Sequence, residues 1–203
     1  MKFTPELAFN GGRVRPLDYD DADALLALYQ QPELPGQSIP ENSEAMSRLV
    51  DYSVQMAATQ RGMMWLLEVS GAVVGMVSAF DWQPSQLRVM MRVDGLPALS
   101  IEHRQASLQA CMDFLVHKYH LRNFGYQWIQ GQNPAITSML ASMGFSLCAT
   151  LRDGWRVGND GFADVQQYHL LRAEEKPQAG RLGEQDNPGQ NLDKSFSRNG
   201  GNA

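Results

Sequence analysis

Two aspartates are the side chains best placed for proton transfer, because each ends a predicted strand: Asp81 and Asp94. Asp81 precedes Trp82, and apolar surroundings raise the pKa of a carboxyl group toward the range where it accepts protons near neutral pH. Aspartate is also common beside turns for backbone reasons, so each residue has a purely structural alternative. Glu68 lies within a predicted strand and is the weaker candidate.

The cysteines and histidines have plainer interpretations. Cys111 and Cys148 lie in predicted core elements, which favours buried thiols over a disulfide or a nucleophile. His117 and His120 lie at the end of a long predicted helix, where cationic side chains suit the negative end of the dipole. They lack the cysteine or carboxylate spacing of a metal site, so the sequence predicts no metal.

Composition narrows the class of protein. A net charge of -5 and a pI near 5.3 argue against a nucleic-acid binder, because phosphate contacts need a basic face. No run approaches the roughly 18 apolar residues of a membrane span, and the N-terminus lacks a signal-peptide core, which predicts a cytoplasmic protein. From residue 174 the chain is rich in Gly, Asn, Gln and Pro, so we expect a folded domain over 1–173 and a disordered tail over 174–203.

Hydrophobic periodicity predicts the elements that must position these side chains. Residues 13–17 form a strand, and Asp18 caps a helix with an inner face of Leu25, Leu26 and Tyr29. A second helix begins at Ser38, Asn42 or Ser43, and its apolar stripe is Met46, Leu49, Val50, Val54 and Ala57. Two apolar runs split at Ser70-Gly71 predict a hairpin. Residues 86–95 are predicted to form a further strand.

The second half of the chain continues with a long helix over 99–121 and a strand over 123–132. The inner face of this helix consists of Leu108, Cys111, Met112, Leu115 and Tyr119. A shorter helix follows Asn133-Pro134, with Asn133 as a plausible N-cap and Gly144-Phe145 as its end. A final hairpin spans about 146–171.

This order of elements resembles the GCN5-related N-acetyltransferase (GNAT) family over about residues 11–173. The branch that acetylates ribosomal-protein N-termini is the most similar, through Gly144-Phe145, then Leu151-Arg152-Asp153, then Asp164, Tyr168 and Leu170-Leu171-Arg172. The resemblance implies an α/β (α+β) fold with a mixed, mostly antiparallel sheet of about seven strands and about four helices. It also implies acetyl-CoA as co-substrate.

The family's cofactor sites map onto three segments. Its pyrophosphate lies at the start of the long helix, where this chain offers Ser100, Ile101, His103 and Arg104. Its pantetheine arm follows the main chain of the fourth strand, which here includes Met91 and Val93. Asn133 is implied to bind the cofactor through its amide, and the alternative is a plain N-cap.

The departures from the family concern the groups that do chemistry. Ser100, Glu102 and Arg104 stand where the family carries Gly, Gly and Gly or Ala, and Glu102 brings a carboxylate toward the phosphates. Leu140 replaces the tyrosine that donates a proton to the thiolate, which leaves Ser138 or Ser142 as a substitute, or both as solvated helix positions. The family's general base is implied to be Asp81 or Asp94.

Two functions follow from the resemblance. The first is an acetyl-CoA-dependent N-acetyltransferase that acts on a protein N-terminus or a small amine, as a monomer or a homodimer. The second is a catalytically silent protein with the same fold that serves as a binding or regulatory module, because fold alone does not fix function.

Overall fold

The computed structural model describes residues 4–172, which form one mixed α/β unit with a central sheet. The first half contains β1 (Leu7–Phe9), β2 (Gly12–Pro16), α1 (Ala22–Tyr29), α2 (Ser43–Ala58), β3 (Met63–Val69), β4 (Ala72–Gln83) and β5 (Arg88–Gly95). The second half contains α3 (Ile101–Tyr119), β6 (Asn123–Ile129), α4 (Ala135–Ser142), β7 (Ser146–Val157) and β8 (Gly161–Leu171). The predicted tail over 174–203 lies outside the described residues.

Eight strands form one sheet in the order β1-β2-β3-β4-β5-β6-β8-β7. Every neighbouring pair is antiparallel except β5 and β6, which are parallel and joined through α3. The predicted fold class is therefore confirmed, with one strand more than expected. The extra strand, β1, is only three residues long, and such a short run gives no usable periodicity.

Two apolar clusters cover the two faces of the sheet. On one face α3 packs through Leu108, Cys111, Met112 and Leu115, and α4 through Ile136, Met139 and Leu140, against β5 residues Val89, Met91 and Val93. On the other face α1 and α2 pack through Leu25, Leu28, Met46 and Val50 against Leu66 and Met76. The strand predicted over 86–95 is confirmed and is buried on one face, because Val89, Met91 and Val93 enter the first cluster while Arg88, Met90 and Arg92 alternate outside it.

Two burial predictions are wrong. Val54 is exposed on α2, and Met56 takes its place in the buried stripe, because the helix rotates its stripe toward Ser53 and Ala57. Cys148 is exposed because β7 is the edge strand, whereas Cys111 is buried, which raises the pKa of its thiol. Among residues 4–172, no helix is long and apolar enough to cross a membrane.

Candidate functional site

The two parallel strands part from each other at the centre of the sheet. β5 and β6 pair from Arg88 with Asn123 to Met91 with Tyr126. Beyond that point β5 continues along β4 to Gly95, and β6 continues along β8 to Ile129. Each strand keeps its outer partner while the inner edges diverge. We call this opening the fork.

The two faces of β5 differ in chemistry at the fork. Met91 and Val93 point into the cluster under α3, whereas Arg92 and Asp94 point toward α1 and α2. The Arg92 guanidinium contacts Asp94 Oδ1, with Nε at 2.7 Å and Nη2 at 2.6 Å. Burial, and then the Asp94 charge, raise the pKa of Tyr29 to about 12. Asp94 is thus a carboxylate held by Arg92, on the part of β5 that lies beyond the pairing with β6.

A tyrosine closes the base of the fork from the other strand. Tyr126 is fully buried, and its hydroxyl donates to the carbonyl of Val93 at 3.4 Å. This bond joins Tyr126, the last paired residue of β6, to β5 two residues past Met91. Burial raises the pKa of Tyr126, so its hydroxyl stays protonated as a donor at neutral pH.

The connection between α1 and α2 lies over the fork on the side of Asp94. Leu34 packs into a small cluster with Ile129, Ala163 and Val165. The Trp155 indole Nε1 donates to the carbonyl of Pro35 at 2.8 Å. This connection therefore rests on the last two strands of the sheet and forms one wall of the opening.

The loop from β5 leads into the N-terminus of α3. The chain's own side chains already bond the free backbone groups there. Ser100 is the N-cap, and its hydroxyl accepts from the His103 N–H at 3.2 Å. The Glu102 carboxylate bonds its own backbone N–H and the Ser100 hydroxyl, and these bonds hold its pKa below the usual value. A carboxylate already lies where a helix N-terminus attracts an anion.

Arg104 fills the interior of the same loop. Its side chain is 2% exposed, and its guanidinium binds both oxygens of Glu33, with Nη1 at 2.9 Å from Oε2. It also donates to the carbonyls of Leu96 and Leu99 at 3.5 and 3.4 Å. Burial raises the pKa of Glu33 despite the guanidinium beside it. Arg104 thus ties the β5–α3 loop to the α1–α2 connection.

Comparison with known proteins shows which fold contains this fork. No protein-family profile matches the sequence, and no curated protein matches it. Solved structures do match. A probable acetyltransferase is similar with a TM-score of 0.74 at 19% identity, over 85% of this chain and 98% of that one. The chain has the GNAT acetyltransferase fold.

Two further matches were solved with coenzyme A compounds. RimL, a ribosomal-protein alpha-N-acetyltransferase in complex with coenzyme A, has a TM-score of 0.69 at 17% identity, covering 79% of this chain and 94% of that one. The self-immunity acetyltransferase MccE, in complex with acetyl-CoA and AMP, has a TM-score of 0.69 at 12% identity, covering 80% and 93%.

The acetyltransferase fold separates the two predicted bases. Asp94 lies at the fork, whereas Asp81 lies on β4, beside Arg88 at the opposite end of β5. Asp81 has an exposed side chain, a φ of +46° and a weak contact to Arg88 Nη2 at 3.5 Å. The apolar surroundings expected for Asp81 are absent, because only the Trp82 ring turns inward at this irregular point of β4.

The remaining predicted residues take mixed positions. His103 packs against the Phe9 ring, with centroids 6.4 Å apart, and contacts the Ser100 hydroxyl through Nδ1 at 3.3 Å. Ile101 is partly buried against the core. Ser138 is exposed on α4. Asn133 lies one residue before Pro134, which is the N-cap of α4, so the predicted N-cap position is off by one; the Asn133 Oδ1 still accepts from the Ala135 N–H at 3.0 Å.

Sequence reasoning missed Glu33, Arg92 and Tyr126. Glu33 lies in a Pro- and Gly-rich connection that gave no periodic signal, and Arg92 reads as a solvated position of an alternating strand. These residues lie near one another only because β5 separates from β6. Across residues 4–172, no cluster of His, Cys, Asp and Glu could hold a metal ion.

Proposed function

We propose that this chain is an N-acetyltransferase that transfers the acetyl group of acetyl-CoA to a primary amine on a protein N-terminus or a small molecule. The observation that carries the proposal is the fork with Asp94 on its open face. The fork frees one edge of two buried strands, and such main-chain edges bind amide-bearing chains by β-type hydrogen bonds. The similarity to RimL and MccE supports the same conclusion.

The fork fits the amide-containing arm of coenzyme A, because that contact depends on main chain and tolerates side-chain replacement. The residues from Arg92 to Gly95 would hold this arm. The start of α3 fits the pyrophosphate less well, since Glu102 already bonds the Ser100 hydroxyl there. When bound, acetyl-CoA supplies an activated thioester and a thiolate leaving group.

The chain's own contribution to the reaction is proton transfer and orientation. An acceptor amine attacks only as the neutral base, so its proton must leave at the site. Asp94 accepts this proton directly or through one water, and the Arg92 guanidinium holds the carboxylate in one orientation. We therefore favour Asp94 over Asp81 as the general base. Ser138 remains a predicted proton donor for the thiolate.

A pair of matched variants tests the assignment. Asp94→Asn should lower acetyl transfer by about 100-fold or more, with acetyl-CoA affinity and folding unchanged. Asp81→Asn makes the same chemical change at the far end of β5 and should have a much smaller effect. Turnover is followed by release of the coenzyme thiol, and affinity by calorimetry. The opposite ranking of the two variants would show that the base is misassigned.

A silent binding protein is the second candidate, and one observation favours it. The anion site at α3 carries Glu102, and the interior of its loop holds Arg104 bound to Glu33. If calorimetry with millimolar acetyl-CoA gives no heat, and the thermal midpoint does not rise, this candidate replaces the first.

Three further predictions accompany the proposal. We expect the protein in the cytoplasm, as a monomer or homodimer, without nucleic-acid partners.

A further inference from the structure

A small cavity lies at the fork on the face of Asp94. It has a volume of about 150 Å³ and lies just past the last pair of β5 and β6. Its lining residues are Phe80, Met91, Arg92, Gln127, Ile129 and Trp155. On the proposed function, this is where the acceptor must approach the acetyl group. Its size and chemistry therefore bear on the kind of amine that fits.

The volume matches a single six-membered ring. An apolar cavity of about 150 Å³ is large enough to take up benzene. Two aromatic side chains, Phe80 and Trp155, form part of the walls, and aromatic pairs gain from offset or edge-on contact. The Trp155 ring is fixed, because its Nε1 donates to the carbonyl of Pro35. The cavity is therefore shaped for an aromatic group before any ligand enters.

The charges around the cavity select against polycations. Among the described residues that line it, Arg92 is the one charged side chain, and it is a cation. Asp94 balances that charge but lies two residues further along β5. A cation beside the cavity disfavours an ammonium group and favours the neutral amine that attacks. An acceptor with several ammonium groups would meet no carboxylate in this lining.

We propose that the preferred acceptor is a primary amine with an aromatic ring, which the cavity at Phe80 and Trp155 receives. The class includes small arylalkylamines and peptides with an aromatic N-terminal residue. The guanidinium of Arg92 can lie against the ring face, and the Gln127 amide is the polar group available for a hydrogen bond. This inference rests on the proposed function and specifies its substrate.

The test uses the full chain with saturating acetyl-CoA and three acceptors: 2-phenylethylamine, propylamine and spermidine. We expect kcat/KM for 2-phenylethylamine to exceed the other two by about tenfold or more, because the ring leaves water. A peptide pair that differs only in N-terminal Phe or Ala shows whether the ring preference extends to peptides. Equal or better use of spermidine or propylamine would overturn the inference and leave the proposed function standing.

Two variants separate the cavity from general effects on folding. Phe80→Ala should lower the ratio of aromatic to aliphatic kcat/KM by about three- to tenfold. Tyr52→Ala removes an exposed aromatic ring on α2 outside the cavity and should leave that ratio unchanged. An unchanged ratio in Phe80→Ala would also overturn the inference.

A binding measurement distinguishes the two levels of the proposal. Saturation-transfer NMR reports contact between the 2-phenylethylamine ring and the protein without any acetyl transfer. Contact that Phe80→Ala abolishes, with no turnover on any amine, would refute the proposed function and support the aromatic cavity. Absence of both contact and turnover would refute both.

Discussion

The fork and the β5–α3 loop follow one another along the chain, but the first depends on main-chain geometry and the second on side chains. The fork is made of main chain, and its shape follows from where β5 stops pairing with β6. The loop depends on side chains, and this chain fills it with Leu99, Glu102 and Arg104.

The difference shows which features of a site survive substitution. Strand geometry persists as long as alternate residues stay apolar, so Met91 and Val93 suffice to keep the fork. A phosphate loop needs close approach of the backbone, which side chains obstruct. The loop also packs tightly: a Cβ on Gly95 would lie 2.3 Å from Leu99 Cδ2.

The largest effect on stability is expected from breaking the buried ion pair between Arg104 and Glu33. Arg104→Ala leaves Glu33 without its partner and should cost about 3 kcal/mol of unfolding free energy in urea denaturation. The Arg104→Met, Glu33→Leu double variant should recover most of that loss, because apolar replacement of both partners removes the uncompensated charge. Glu6→Ala breaks an exposed pair with Arg13 and should cost far less stability, because solvent screens this pair. Equal losses in the Arg104 and Glu6 variants would contradict a structural role for the loop pair.

A smaller effect is expected at the base of the fork. Tyr126→Phe removes the hydroxyl that donates to Val93 and should cost about 1 kcal/mol, measured in the same way. Because the strand pairing remains, acetyl-CoA affinity should change less than twofold. A large loss of affinity would mean that the fork depends on this side chain and not on main chain alone.

The smallest effect concerns the carboxylate at the start of α3. Glu102→Gln removes a negative charge beside the expected phosphates and should tighten acetyl-CoA binding by about two- to fivefold, because a carboxylate at a helix N-terminus competes with a bound anion. Glu44→Gln makes the same change in the first turn of α2 and should leave affinity unchanged. If Glu102→Gln weakens binding, then the pyrophosphate does not lie at this helix.

Much of the fold was predictable because it rests on local patterns. The alternation of Val89, Met91 and Val93 predicts a strand buried on one face, and the structure confirms it. Gly144 ends the short helix with a φ of +88°, as its position after Met143 predicts. The three-residue β1 was missed because a run of that length carries no period, and Cys148 was misplaced because an edge strand cannot be recognised before strand order is known.

The candidate site was only partly predictable, for a similar reason. The sequence names both Asp81 and Asp94, since both end apolar strands, and the Trp82 beside Asp81 favours Asp81. The sheet register separates them: Asp94 lies at the fork end of β5, and Asp81 lies on β4 beside the opposite end of β5. The partners of Asp94 and Arg104 lie on other elements or on an unremarkable strand position, so no local pattern identifies them.

By itself the sequence determined the elements, their order and the apolar faces, because these depend on the spacing of neighbouring residues. It also determined that the start of α3 lacks the glycines of a phosphate loop. Only the tertiary structure decided that β5 and β6 part after Met91 and Tyr126, and that Phe80 and Trp155 meet at one cavity. Those relations join residues up to 75 positions apart, and they arise from sheet register and packing, which one sequence does not encode locally.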